Sequence, residues 1–166
     1  SEMCIRDSAK AVKAGAEGVG LFRTEFLFMN KQALPTEEEQ YNEYKKAAVV
    51  LDGRQLTIRT LDIGGDKDIP YMGLTKELNP FLGYRAIRFC LDRVDIFTTQ
   101  LRAVLRASAY GNIRIMIPMI TSVTEVQAVK KIINGICRDL DKKDIKYDKD
   151  IKIGVMIELS LIHISE

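Results

Sequence analysis

The stretch TIRTLDIGGDK, residues 57–67, constrains the fold more than any other part of this chain. Its first residues favour a half-buried β-strand, because side chains such as Thr57 and Ile58 suit a pleated backbone. Arg59 stands where an apolar residue would be usual, and the Gly64-Gly65 pair can expose backbone N–H groups to a ligand. The stretch therefore predicts an anion site at a strand end. The structural alternative is an arginine that is simply paired with a carboxylate of the fold.

Strands and helices alternate along the chain. The predicted strands cover residues 18–23, 56–63, 113–119 and 151–157, and helices are predicted after the capping boxes Thr36-x-x-Glu39 and Ser122-x-x-Glu125, after Asn79-Pro80, and on both sides of a break at 92–95. This alternation predicts βα units and a parallel sheet. The sheet is either open and doubly wound or closed as a (β/α)₈ barrel. Residues 113–119 are expected to be buried on both faces, and residues 138–150 to form a surface connection.

Three predicted strands have charged residues at or near their C-terminal ends, namely Arg23, Arg59 and Glu158. Both closures bring the C-terminal ends of parallel strands to one rim, where such folds carry their chemistry. Arginine forks bind phosphate and carboxylate groups bidentately, and a carboxylate is a natural Mg²⁺ ligand. We therefore expect a site for a phosphorylated anion and Mg²⁺ at this rim. The pair Arg102 and Arg106, four residues apart on a predicted helix, is expected to be solvated or paired with acids.

Composition excludes several classes of function. The net charge is +2, and the basic residues are interleaved with acids, so no nucleic-acid surface is expected. No apolar run reaches the length of a membrane span. The three cysteines, Cys4, Cys90 and Cys137, form no CxxC pair, and an odd count without metal spacing fits a reducing cytoplasm. We expect Cys90 and Cys137 to be small buried apolar residues.

Seven motifs then occur in a recognisable order. They are GAEGVGLFRTEFLFM (15–29), LPTEEEQ (34–40), RTLDIGGDK (59–67), NPFLGYR (79–85), LRAS (105–108), IMIPM (115–119) and GVMIE (154–158). From about residue 9 to residue 158 the chain resembles enzyme I of the bacterial sugar phosphotransferase system, a phosphoenolpyruvate-protein phosphotransferase. The motif RTLDIGGDK distinguishes that family from the pyruvate phosphate dikinases and phosphoenolpyruvate synthases.

The resemblance implies a function for the parent protein. Enzyme I transfers the phosphoryl group of phosphoenolpyruvate (PEP) to its own histidine and then to the carrier protein HPr. A (β/α)₈ TIM barrel binds PEP and Mg²⁺ and carries the homodimer interface. By motif match, Arg23, Arg59 and Arg85 would contact PEP, and Glu158 would be one Mg²⁺ ligand. No catalytic residue of the family falls in this chain: His163 is not expected to be the phosphorylated histidine, and the cysteine proton donor would lie downstream.

The resemblance also divides the chain. Residues 1–8 and 159–166 do not match the family, and residues 9–158 would form an α/β domain, a partial TIM barrel of about strands two to five with their helices. Such a piece would leave strand edges and core surface uncovered, so we expect residues 1–166 alone to be inactive and prone to aggregation. A soluble monomer with a cooperative melt would contradict this. The alternatives are a piece of a dikinase or synthase, or a non-catalytic PEP-binding module.

Overall fold

Four strands alternate with helices in the computed structural model, which describes residues 18–29, 31–63 and 86–156. The strands are β1 (Gly18–Arg23), β2 (Gln55–Arg59), β3 (Ile113–Ile117) and β4 (Lys152–Val155), and the helices are α1 (Glu37–Val50), α2 (Ile87–Asp92), α3 (Val94–Ala107) and α4 (Val123–Lys142). Short 3₁₀ turns cover Glu25–Leu27 and Ser108–Tyr110. The predicted helix after Asn79-Pro80 begins outside the described residues.

The sheet is parallel throughout its described part, with the order β1-β2-β3-β4. Neighbouring strands therefore follow one another in the chain, and the order does not reverse. A doubly wound sheet changes direction at a switch point, whereas a barrel adds each strand beside the last. This order confirms the predicted α/β fold class and agrees with a partial (β/α)₈ barrel.

Three strands are shorter than predicted. Strand β4 covers Lys152–Val155 within the predicted residues 151–157, and the other two end early at the rim. The strand expected over residues 56–63 ends at Arg59, because the backbone N–H of Leu61 donates to the side chain of Gln100 (2.8 Å) instead of to a neighbouring strand. The strand expected over residues 113–119 ends at Ile117, since Pro118 follows and Met119 has a positive φ of 55°. Both corrections place irregular backbone directly after the strands, at the rim.

Contrary to the prediction, strand β3 is not buried on both faces. Ile113, Ile115 and Ile117 are buried, but Arg114 and Met116 are partly exposed. Alternating side chains of a strand point to opposite faces, so within the described residues only one face of β3 is fully covered.

Both predicted capping boxes are present. At α1 the Thr36 N–H donates to Glu39 Oε2 (2.7 Å), and the Glu39 N–H donates to Thr36 Oγ1 (3.2 Å). At α4 the side chains of Ser122 and Glu125 make the same reciprocal pair. Helix α4 continues to Lys142, so the surface connection predicted over residues 138–150 begins later than expected. The extension buries Leu140.

The predicted acid pairing of Arg102 and Arg106 is confirmed. Arg102 contacts Glu37 at 3.1 Å and also pairs with Asp139, while Arg106 contacts Glu37 at 2.8 Å and Glu38 at 2.9 Å. These ion pairs join α3 to α1 on one side and to α4 on the other. Arg102 and Arg106 therefore have a structural role and do not belong to the rim.

The approach of α1 to the start of β3 makes Gly111 sensitive to substitution. A Cβ at Gly111 would lie 2.9 Å from Ala48 Cβ and 3.2 Å from Ala48 O. We expect Gly111→Ala to lower the free energy of unfolding by about 1–3 kcal/mol, because α1 would have to move. Gly135→Ala is the control, since a Cβ there meets nothing within 4 Å on the exposed side of α4. Thermal unfolding of both variants, each in a full-length host protein that carries this segment, measures the effect. Equal unfolding midpoints for the two variants would contradict the prediction.

In the part of the chain that the structure describes, no helix is both long enough and apolar enough to cross a membrane.

Candidate functional site

Arg23 and Arg59 lie side by side at the rim. Each is the last residue of its strand, and the parallel register of β1 and β2 pairs the two residues directly. The C-terminal ends of parallel strands are where α/β folds carry their sites. The structure therefore brings these two of the sequence-predicted residues together. Arg85, Glu158 and the Gly64-Gly65 pair lie outside the described residues.

The two arginines have different surroundings. The Arg59 side chain is 12% exposed, and its Nη2 and Nη1 atoms contact Glu25 Oε1 at 2.7 Å and Asp62 Oδ2 at 3.2 Å. Arg23 is exposed and forms no ion pair with any residue in the described ranges. The carboxylate pairing considered as the structural alternative is thus present at Arg59, whereas Arg23 has no such partner within those ranges.

The carboxylates leave part of the Arg59 guanidinium unused. Glu25 and Asp62 each engage one terminal nitrogen, but the buried Nε has no hydrogen-bond partner among the described residues. A guanidinium carries five N–H donors in a fixed plane, so two anchored nitrogens also fix the direction of the third. A buried donor without an acceptor needs an explanation, and an oxygen of a bound anion would supply one.

Charge at the described part of the rim is balanced. Glu25 and Asp62 are each 4% exposed, and together they offset Arg23 and Arg59. The carboxylates therefore hold Arg59 in place at the cost of reducing its net attraction for an anion. A multiply charged anion would need further positive charge, from residues outside the described ranges or from a metal ion.

A hydrogen-bonded network of buried polar side chains supports the rim from below, and sequence reasoning did not find it. It consists of Thr24, Gln40, Tyr44 and Gln100, each at most 1% exposed. Burial raises the pKa of the Tyr44 hydroxyl, which keeps it neutral and able to donate. The available signal was Gln100, a polar residue on the apolar stripe of α3 that also contains Phe97 and Leu101.

The described residues show no cluster of three or more His, Cys, Asp and Glu side chains that could hold a metal ion. Glu25 and Asp62, the two acids beside the arginines, are engaged by Arg59. The metal ligand expected from the sequence, Glu158, lies outside the described residues. The described acids therefore do not by themselves fit a Mg²⁺ site.

Cys90 lies directly behind the rim. Its Sγ donates to the backbone oxygen of Leu61 at 3.7 Å, and burial raises the pKa of the thiol. Cys90 is buried as expected, whereas Cys137 is only half-buried. Because the thiolate is the reactive form, we expect Cys137 to be alkylated by iodoacetamide faster than Cys90 at pH 8 in a folded host. Peptide mass spectrometry measures both rates, and faster labelling of Cys90 would contradict the described packing.

Comparison with known proteins gives a consistent picture. The family model described as "PEP-utilising enzyme, PEP-binding domain" matches residues 3–165. A protein of Haemophilus influenzae named phosphoenolpyruvate-protein phosphotransferase is 53% identical over 154 residues, which are 93% of this chain and 27% of the relative. Proteins with the same name from Bacillus subtilis and Priestia megaterium are 51% and 50% identical over 92% of this chain. The chain thus spans about a quarter of the length of these relatives (27% in each case).

Proposed function

We propose a function for this chain as a member of the PEP-utilising enzymes, a family to which it belongs by its match to their PEP-binding domain over residues 3–165. It supplies part of the PEP site of a phosphoenolpyruvate-protein phosphotransferase, enzyme I of the bacterial sugar phosphotransferase system. The relatives that support this reading are all named for that activity, which favours it over a dikinase or a synthase. The sequence has all four residues that match the family's motifs, namely Arg23, Arg59, Arg85 and Glu158, which also disfavours a non-catalytic binding module.

The observation that carries the proposal is the pairing of Arg23 and Arg59 across β1 and β2, with Arg59 Nε buried and without a partner in the described residues. Arg59 is held by Glu25 and Asp62, so its remaining N–H groups are oriented before PEP arrives. Arg23 is exposed and can move onto the ligand. We assign the phosphate and carboxylate of PEP to these two guanidinium groups together with Arg85.

The proposed chemistry is phosphoryl transfer. The bond between the phosphorus and the enol oxygen of PEP breaks, and a bond from phosphorus to a histidine nitrogen of the parent protein forms. Positive groups at fixed positions stabilise the charge that spreads over the phosphoryl oxygens and the departing enolate. Arginine suits this role because its guanidinium stays charged at every physiological pH.

The proposal includes Mg²⁺ only because Glu158 is expected to be one of its ligands. When bound, the metal would neutralise charge on the phosphoryl oxygens. The described residues supply no further ligand set, and the roles given to Arg23 and Arg59 do not depend on it.

The parent protein's partners, process and location are proposed from the same family membership. We propose HPr as the acceptor of the phosphoryl group, a homodimer as the assembly, sugar uptake as the process and the cytoplasm as the location. No role with nucleic acid or within a membrane is proposed. The domain boundaries after residue 8 and before residue 159 also stay predictions.

A chimera tests the proposed function. Residues 9–158 replace the matching segment of the Haemophilus influenzae relative, which shares 53% identity with this chain. Transfer of labelled phosphate from PEP to HPr is then measured beside the unaltered relative. We expect a rate within about tenfold of the relative, because the segment would supply the same arginines. A chimera that folds and dimerises like the relative but transfers no phosphate would refute the proposal.

A further inference from the structure

Gln100 lies in the core and is 0% exposed. It is on α3, where its helical neighbours Phe97 and Leu101 are buried apolar residues. A buried carboxamide is costly unless its polar atoms find partners, because it gives up its hydrogen bonds to water. Gln100 therefore either has a structural reason for its position or destabilises the helix packing.

Its partners are at the rim. The Oε1 atom of Gln100 accepts from the backbone N–H of Leu61 at 2.8 Å. Its Nε2 atom donates to Thr24 Oγ1 at 3.1 Å and to Tyr44 Oη at 3.2 Å. Both N–H groups of the carboxamide are used, and both strand exits are contacted by one side chain.

The network has a fixed direction. The Thr24 hydroxyl accepts from Gln100 and donates to the backbone oxygen of Arg59 at 2.9 Å. The Tyr44 hydroxyl accepts from Gln100 and donates to Gln40 Oε1 at 3.1 Å. A hydroxyl has one hydrogen, so neither group can reverse without losing a bond. The carboxamide of Gln100 is the common donor of both branches.

The residues that Gln100 contacts lie just C-terminal to the two arginines in the chain. Thr24 directly follows Arg23, and Leu61 lies just beyond Arg59. The bond from Thr24 to the Arg59 oxygen joins the two strand exits. Loss of the carboxamide would leave the Leu61 N–H without its acceptor and Thr24 without its donor, and both exits could then shift.

We propose that Gln100 is a positioning residue that fixes the spacing between Arg23 and Arg59 for PEP. The inference rests on the proposed function, since it concerns the same site. Gln100 itself does not contact PEP, because its side chain is enclosed beneath the rim. It acts through the backbone that carries the two guanidinium groups.

The test uses two variants in the chimera. Gln100→Met is similar in length but removes all three hydrogen bonds. Gln100→Glu keeps an acceptor for Leu61 but cannot donate to both Thr24 and Tyr44, because a carboxyl group has at most one O–H. It covers the case in which the first variant does not fold. We expect each to raise the KM for PEP about tenfold or more, since displacements near 1 Å can cost about a hundredfold in activity.

Two controls separate positioning from general destabilisation. Leu101→Ala, at the next residue of α3, removes buried side-chain volume and is expected to lower the melting temperature without changing the KM for PEP. Gln127→Met, on the exposed side of α4, should change neither quantity. A spacing defect at the rim predicts a raised KM in the folded enzyme, which instability alone would not produce.

The possible outcomes distinguish the two proposals. If the unsubstituted chimera uses PEP and the folded Gln100 variants keep its KM, the positioning role is refuted and the proposed function stands. If the unsubstituted chimera folds but does not use PEP, the proposed function is refuted, and the role of Gln100 with it. A KM raised in both Gln100 variants but not in Leu101→Ala supports the positioning role.

Discussion

Replacing Arg59 by lysine lowers kcat/KM for PEP in the chimera by about 10²–10³-fold, the expected loss when oriented guanidinium contacts to a reacting phosphoryl group are removed. Lysine keeps a positive charge near Glu25 and Asp62, which lie 2.7 and 3.2 Å from the Arg59 nitrogens. It cannot contact both carboxylates and still present a planar donor to an anion. Steady-state transfer of phosphate from PEP to HPr measures the effect.

A second Arg59 variant separates binding from stability. Arg59→Met removes the guanidinium that contacts the buried carboxylates of Glu25 and Asp62, and it is expected to lower the free energy of unfolding by about 3–5 kcal/mol. Arg59→Lys should lose far less stability. Arg138→Lys, at an exposed position on α4, is the matched control and should change neither activity nor stability. Full activity of Arg59→Lys would reduce Arg59 to a structural ion pair.

Replacing Arg23 by alanine lowers kcat/KM for PEP by about a hundredfold and leaves the melting temperature unchanged. Arg23 is exposed and has no ion pair within the described residues, so its removal breaks no contact that stabilises the described fold. Its place beside Arg59 in the register of β1 and β2 gives it a role only when a ligand is present. Activity and thermal unfolding of the same preparation measure both effects.

The Arg23 variant is the sharper test of the rim. An exposed arginine without a function would tolerate alanine, as Arg138→Ala on α4 is expected to do. If Arg23→Ala kept normal PEP kinetics, Arg23 would be a solvated surface residue and the pairing with Arg59 would have no consequence. If it lost stability as well as activity, Arg23 would have contacts in the parent protein beyond those described.

Local signals in the sequence predicted much of the fold. The capping boxes at Thr36 and Ser122 depend on residues three positions apart, so the sequence alone was sufficient to find both helix starts. Regular alternation of strands and helices predicted the parallel sheet and the end of β1 at Arg23. The strand that contains Arg59 was predicted to continue to residue 63, whereas the structure ends it at Arg59. Local pattern left the choice between an open sheet and a barrel open. The family resemblance implied the barrel, and the strand order agrees with it.

The supporting contacts of the rim could not be predicted from local pattern. Glu25 and Arg59 are separated by 34 positions, Gln100 and Leu61 by 39, and Gln100 and Thr24 by 76. Such contacts arise only when the strands pair and α3 packs over them. The same tertiary contacts ended the second predicted strand early, because Leu61 bonds to Gln100 rather than continuing the ladder.

A crystal structure of the chimera with bound PEP would show whether Arg23 and Arg59 bind the ligand together. We expect oxygens of one PEP molecule to lie within about 2.7–3.2 Å of nitrogens of both Arg23 and Arg59, with Arg59 Nε among the donors. Glu25 and Asp62 should keep their contacts to the Arg59 terminal nitrogens. A PEP molecule bound away from β1 and β2, or one that contacts neither guanidinium, would contradict this expectation.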